Sequence, residues 1–395
     1  MEYSDLQKVV RRNIRQYGMY IALVVIMAIF TIFTKGLFIS SRNIANLLNQ
    51  TGYIAVLAVG MTLVIVIRHI DLSVGFLAGF LGAVGAVALV TWHMNVWLVL
   101  PFVLLCGIIA GLITAFPVAR LGIPAFVASL AGWLIYRGLL LLITSSTGTI
   151  VIPNATFNAI GNGYIPDIFP ENSTFLPGLH KLTIILGILV AIWYIFSAIR
   201  TRRNKKAYGL EVLPADLFTL QLVLITVILG LITWVLAGYN GMSWTLIVVL
   251  VVVFVYDYVA RQTVLGRHIY AVGGNPEAAE LSGINVSRIT FIVFGSMGLL
   301  TAVSGILFAS RLQSATPTGG TLFELDAIAA AYIGGVSAAG GVGSITGSLV
   351  GALVYMSLMN GMNLLGTDMS IQYVIRGAVL AVAVIFDVST RRRRG

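Results

Sequence analysis

The residues able to do chemistry in this chain are few and scattered. The four histidines, His69, His93, His180 and His268, stand apart, with no second histidine or carboxylate at the helical spacing a metal ion needs. The single cysteine, Cys106, lies inside an apolar run, which rules out a disulfide framework and a cysteine metal site. No Gly-x-Ser-x-Gly elbow is present, nor a phosphate loop ending in Gly-Lys-Ser/Thr. The run Gly341-Val342-Gly343-Ser344-Ile345-Thr346-Gly347 misses the dinucleotide fingerprint in spacing and context. No catalytic residue and no metal ligand is therefore assigned.

Two polar stretches remain. In Arg68-His69-Ile70-Asp71-Leu72-Ser73-Val74-Gly75 a carboxylate sits at a helix break, where Asp71 caps the next helix and pairs with Arg68. The second stretch is Gly273-Gly274-Asn275-Pro276-Glu277-Ala278-Ala279-Glu280-Leu281-Ser282-Gly283-Ile284-Asn285-Val286. Asn275 caps a first turn, Pro276 fits the first helical position, Glu277 faces the positive helix end and Gly283 closes the far end. So short a helix is marginal alone, so its own protein, a partner or the membrane surface must hold it.

The elements that position these stretches are membrane spans. The chain is 395 residues long, 58% hydrophobic and only 10% charged, where soluble proteins carry roughly 25% charged residues. Apolar runs fall near 17–34, 44–67, 73–91, 97–116, 124–143, 181–200, 216–237, 243–260, 289–310, 327–345, 346–364 and 371–388. The Gly-rich runs 73–91 and 327–345 read as broken or re-entrant segments, because irregular backbone at that depth survives only inside protein or beside a watery cavity. The pattern predicts an all-α polytopic membrane protein with about ten to twelve transmembrane or half-membrane helices. Small residues every fourth position, Ala78, Gly82 and Ala86, then Gly343, Gly347 and Gly351, read as helix-packing seams.

The net charge of +10 does not mark a nucleic-acid binder, because the basic residues sit at span ends without interleaved aromatics. They report topology instead. With a cytoplasmic N-terminus, Lys8, Arg11, Arg12, Arg15, Arg68, Arg120, the basic tract 200–206, Arg261, Arg267, Arg288 and Arg391–Arg394 all fall inside. Lys35, Arg42, Lys181 and Arg311 fall outside. Both termini are thus cytoplasmic, as is the 261–288 loop. Arg137 and Arg376 lie within spans and either snorkel or pair with carbonyls, while Asp257, Glu324, Asp326 and Asp387 sit near segment ends, where charge is cheap.

Three motifs resemble one family: Ile70-Asp71-Leu72-Ser73-Val74-Gly75, the 273–286 stretch, and Glu324-Leu325-Asp326-Ala327-Ile328-Ala329-Ala330 with Gly340-Gly341-Val342-Gly343-Ser344. The chain resembles, from about residue 36 to 388, the permease subunits of ribose, xylose, arabinose and galactoside ABC importers, and within them the xylose and multiple-monosaccharide branch. The resemblance implies a type II ABC importer permease-like fold and a bacterial inner-membrane location. It implies a transmembrane domain over 17–388, flanked by cytoplasmic segments 1–16 and 389–395, with an external loop at 144–180, a basic loop at 200–215 and a coupling loop at 261–288. The implied partners are a second permease copy, two cytoplasmic ATPase domains that bind ATP and Mg, an extracytoplasmic sugar-binding protein and membrane lipid. The permease itself carries no cofactor.

By the same resemblance Asn275, Pro276, Glu277, Ala278, Ala279, Glu280, Ser282, Gly283 and Ile284 form the helix that enters a groove on the ATPase. Asn162, Asp167 and Glu171 face the binding protein. Pathway candidates are Asn49, Gln50, Asp71, Ser73, Ser129, Asn360, Asn363 and Gln372, the few polar residues available to line a weakly binding pore. An ion-coupled sugar carrier is the alternative, and the scarcity of carboxylates within spans counts against it.

Overall fold

Apolar runs with few charges fold into helices wherever lipid or protein surrounds them, because every backbone group must find its partner within the segment. In the computed structural model, which describes residues 14–146, 148–168, 176–209, 212 and 214–392, these runs form α1 (Ile14–Phe33), α2 (Ser41–Val66), α3 (Val74–Val90), α4 (Val96–Leu121) and α5 (Ala125–Thr144). There follow β1 (Ile150–Val151), α6 (Ala155–Asn162), α7 (Lys181–Ala207), α8 (Ala215–Ala237) and α9 (Trp244–Gln262). The remainder is α10 (Val264–Gly274), α11 (Pro276–Leu281), α12 (Val286–Leu312), β2 (Ser314–Ala315), α13 (Phe323–Ile333), α14 (Ile345–Leu364) and α15 (Met369–Arg392).

Among the described residues 9 helices are long and apolar enough to cross a membrane, and the shorter Gly18–Phe33 and Val74–Val90 are apolar as well. Every predicted run thus contains a helix. The exception in form is 327–345, where only the 11-residue α13 is helical and the 334–344 stretch is irregular. The run 73–91 is corrected: α3 is one continuous helix, and the break lies before it, at 67–73.

The backbone groups by contact into two compact units, one of residues 1–38, 47–163 and 244–395, the other of 39–46 and 164–243. In the larger unit α2, α12 and α14 are the most enclosed long helices, while no residue in the apolar stretch of α15 is fully buried. Its main core joins Phe76, Leu81, Val99, Val103, Leu140, Phe157 and Ile306, from α3, α4, α5, α6 and α12. Large apolar side chains such as Leu98, Ile113, Phe126 and Leu142 are exposed, which suits lipid contact. In the smaller unit α7 and α8 pair closely, and Gly187 leaves room for Thr233 between them.

The predicted seams close helices tightly. A Cβ at Gly82 would come within 3.0 Å of the Gly305 carbonyl on α12 and one at Gly351 would strike that of Ala330 on α13, while Gly343 lies in the irregular stretch; outside the predicted seams, a Cβ at Gly298 on α12 would strike the Gly107 carbonyl on α4. The 314–315 strand pairs antiparallel with 150–151, so the chain between α12 and α13 is non-helical.

Candidate functional site

The polar stretch after α10 forms the helix its caps dictate. Asn275 Oδ1 accepts the Ala278 N–H at 3.0 Å, Pro276 takes the first position and Glu277 lies in the first turn. At the far end Gly283 turns left-handed (φ 85°), and the Ile284 N–H reaches back to the Ala279 carbonyl at 3.0 Å. Only 6 residues lie between the caps. Ala279 is buried, whereas Glu277, Ala278, Glu280 and Leu281 are exposed, Leu281 by 90%. Asn285 then caps α12, its Oδ1 accepting the Arg288 N–H at 2.8 Å.

This short helix is fastened from behind. Arg68 Nε donates to the Gly273 carbonyl at 2.7 Å, and its Nη2 donates to the Gly274 carbonyl. The predicted pair between Arg68 and Asp71 is therefore corrected: the guanidinium, on a left-handed residue (φ 65°), is spent on two carbonyls at the end of α10. Gly341 N–H donates to the Val66 carbonyl at 2.8 Å, and a Cβ at Gly273 would strike that same carbonyl. Tyr270 O–H donates to the Gly343 carbonyl at 2.9 Å. Arg261, paired with Asp257 at 2.9 Å, donates to Ser344 Oγ at 3.2 Å and Thr346 Oγ1 at 3.1 Å. The two irregular stretches 67–73 and 334–344 thus meet at α10, whose end leads directly into the polar helix.

The pathway candidates fall into three groups. Asp71 Oδ1 accepts the Ser73 N–H at 2.9 Å and the Ser73 hydroxyl at 2.6 Å, while Ser129 donates to the Ile70 carbonyl at 3.3 Å. All three side chains are buried and hold the 67–73 bend against α5. The Asp71 carboxylate therefore shapes the turn into α3, two residues ahead of a cap position, Ser73, whose own side chain makes no capping bond. In the second group Asn360 Nδ2 donates to Gln50 Oε1 at 3.4 Å across α14 and α2, and the buried Asn49 Oδ1 has no protein partner among the described residues. In the third, Gln372 Nε2 donates to Asn363 Oδ1 and to the Thr367 carbonyl, each at 3.0 Å, pinning the α14–α15 turn.

Of the residues assigned to the external loop, Asn162 Nδ2 donates to the carbonyls of Ser310 at 2.8 Å and Arg311 at 3.0 Å. Asp167 accepts the backbone N–H groups of Lys181 at 2.8 Å and Leu182 at 3.1 Å, at the start of α7. Both side chains thus have structural bonds to keep. Glu171 lies outside the described residues, as do Lys8, Arg11, Arg12, Arg393 and Arg394.

Sequence reasoning missed a polar cluster on α13. Glu324 and Asp326 are 5% and 4% exposed, not at a cheap segment end. Glu324 Oε1 accepts from Trp133 Nε1 at 3.1 Å, while Asp326 accepts the Tyr355 hydroxyl at 2.5 Å and meets Arg376 Nη1 at 3.4 Å. Arg376 is thus paired with a carboxylate rather than a carbonyl, and Arg137 lies over the Phe76 ring, 4.8 Å from its centroid. The signal available was the position of two acids in the first turn of a broken helix.

No group of three or more metal-binding side chains occurs among the described residues. Apolar helices too long and too exposed for water, broken backbone held by protein, and a polar helix tied to the breaks define a polytopic membrane permease. The chain belongs to the family of permease components of branched-chain amino acid transport systems, whose model matches residues 43–384. It is 39% identical over 384 residues to the xylose transport system permease protein XylH of Haemophilus influenzae, covering 96% of this chain and 98% of that one. To the XylH of Escherichia coli it is 38% identical, covering 96% and 93%. The ribose import permease protein RbsC of Haemophilus influenzae is 34% identical, with 98% and 96% covered. No solved structure matches the chain. Its members are transporter subunits, so the chain is a permease and not an enzyme.

Proposed function

We propose that this permease is the membrane-spanning subunit of an ATP-driven importer of monosaccharides, with xylose or a related pentose or hexose as cargo. The likeness to xylose and ribose permeases along nearly the whole chain supports the cargo class. The observation that carries the mechanism is α11: a two-capped helix, exposed on one side, whose root at the end of α10 is bonded by Arg68 of one irregular stretch and, through Tyr270, to Gly343 of the other. Its exposed Glu277, Ala278, Glu280 and Leu281 dock on a separate cytoplasmic ATPase, which binds ATP and Mg and does the hydrolysis.

Two copies of the chain form the pathway in the bacterial inner membrane, each with residues 17–388 as its transmembrane domain and both termini cytoplasmic. A loaded sugar-binding protein settles on the external 144–180 loop. When ATP closes the ATPase pair, α11 moves, and Arg68 and Gly341 carry that motion to 67–73 and 334–344, where the backbone is free of helical constraint. Each ligand must favour one state for this to work, ATP one opening and the loaded binding protein the other.

The test is sugar uptake into liposomes holding the permease, its ATPase and the binding protein. ATP should drive accumulation of labelled pentose, and removing the ATPase should abolish it. Accumulation by permease alone down a proton or sodium gradient would contradict the reading.

A further inference from the structure

Beside α13 lies a cavity of about 110 Å³, several times the roughly 10–15 Å³ that one water needs. Asp326, Arg376, Tyr355, Tyr373 and Leu380 line it, from α13, α14 and α15. Arg376 sits about 10 Å along α15, counted from Met369 at 1.5 Å per residue, on a helix whose apolar stretch is half-covered at best and packs on α13. Its side chain, 27% exposed, turns to the Asp326 carboxylate of α13, so the part of the guanidinium that this pair leaves open faces the cavity rather than hydrocarbon, where it would be costly.

We infer that this cavity is a contact site for a monosaccharide on its way through the permease, a reading that rests on the importer function above. The site is chemically prepared for a neutral polyol. Asp326 and Arg376 cancel each other's charge, so an ionic ligand gains nothing from entering. They nevertheless present an acceptor and donors side by side, which suits neighbouring sugar hydroxyls. Among the described residues Asp326 is the only hydrogen-bond partner of the guanidinium, reached through Nη1, which leaves further N–H groups of its five for a ligand. Tyr355, itself buried, donates to Asp326 Oδ1 at 2.5 Å and fixes the carboxylate. Tyr373, half exposed, adds an aromatic wall against which the apolar face of a sugar ring can lie. The contact also sits on the short helix between two irregular stretches, where discontinuous segments bring substrate and backbone together.

The experiment uses the complete transporter in liposomes, with Arg376→Gln, Arg376→Lys and Asp326→Asn, reading pentose uptake per ATP hydrolysed and the assembly state of the complex. A lost hydrogen bond to a charged group lowers uptake roughly tenfold or more. ATPase rate and assembly should be unchanged, and Arg376→Lys should also be impaired, because a point charge replaces the planar fork. In a Cys106→Ala background, pentose should slow modification of the Tyr373→Cys variant by a charged thiol reagent. Normal uptake in Arg376→Gln, or a thiol that pentose does not protect, would overturn the site. Dissociation of the permease pair by Arg376→Gln would overturn it too, making the ion pair an adhesive between copies. If the wild-type transporter takes up no sugar, the importer reading itself fails and the contact site with it, a result distinct from these.

Discussion

Arg68 shows how a single side chain can set the mechanics of this molecule. Its two bonds end on carbonyls that α10 leaves unpaired at its last turn, so a charged donor satisfies acceptors that would otherwise need water. Each such bond is worth about 1.5–3 kcal/mol. Arg68→Ala should therefore leave the ATPase bound but loosen α11 from the 67–73 bend, so that hydrolysis continues while uptake falls at least several-fold. Arg68→Lys should recover only part of the uptake, since one ammonium cannot span both carbonyls as the planar fork does. Equal loss of ATPase binding and uptake in Arg68→Ala would mean that the residue merely supports the fold. None of this was legible in the sequence: an arginine three residues before an aspartate reads as a local ion pair, and its partners lie more than 200 residues away. The same limit hid the burial of Glu324 and Asp326, because hydropathy measures composition and not which helices enclose a turn.

At the scale of elements, local rules were enough for α11 and insufficient for the breaks. Asn275, Pro276 and Gly283 act through bonds spanning a few residues, so cap chemistry alone placed both ends of the helix. The break at Asp71 lies where its sequence puts it, but the expected break within 73–91 is absent, because a glycine-rich run reads equally as a bend or as a packing surface. Here it is a surface: Ala78 and Gly82 lie against Gly305, and α3 runs unbroken. Such close packing makes a stability prediction. Gly298 faces the backbone of α4, whereas a Cβ at Gly295 would meet only the Leu112 side chain, at 3.2 Å. Gly298→Ala should cost about 1–3 kcal/mol by overpacking, seen as a lower thermal midpoint of the purified permease in detergent. Gly295→Ala should change it little. Equal midpoints for the two variants would show that the α4–α12 approach is looser than the structure has it.

For the whole molecule, the sequence carried the spans because twenty-residue apolar runs have few alternatives in lipid. It could not carry which helices are central, since that depends on small residues meeting across the bundle rather than on hydropathy. Under the proposed importer function, the exposed face of α11 is where force would enter and the irregular stretches are where it would be used. Ala279 is a poor probe of that role, being buried, and its replacement by a charge would damage the helix itself. The exposed Glu277 and Leu281 are the proper probes. The deciding measurement is ATPase co-purification and ATP-driven pentose uptake for wild type against Glu277→Arg with Leu281→Asp, with the fold checked by thermal midpoint. ATPase association and uptake should be lost together while the midpoint is kept. Intact association and uptake in the folded variant would contradict that role of α11.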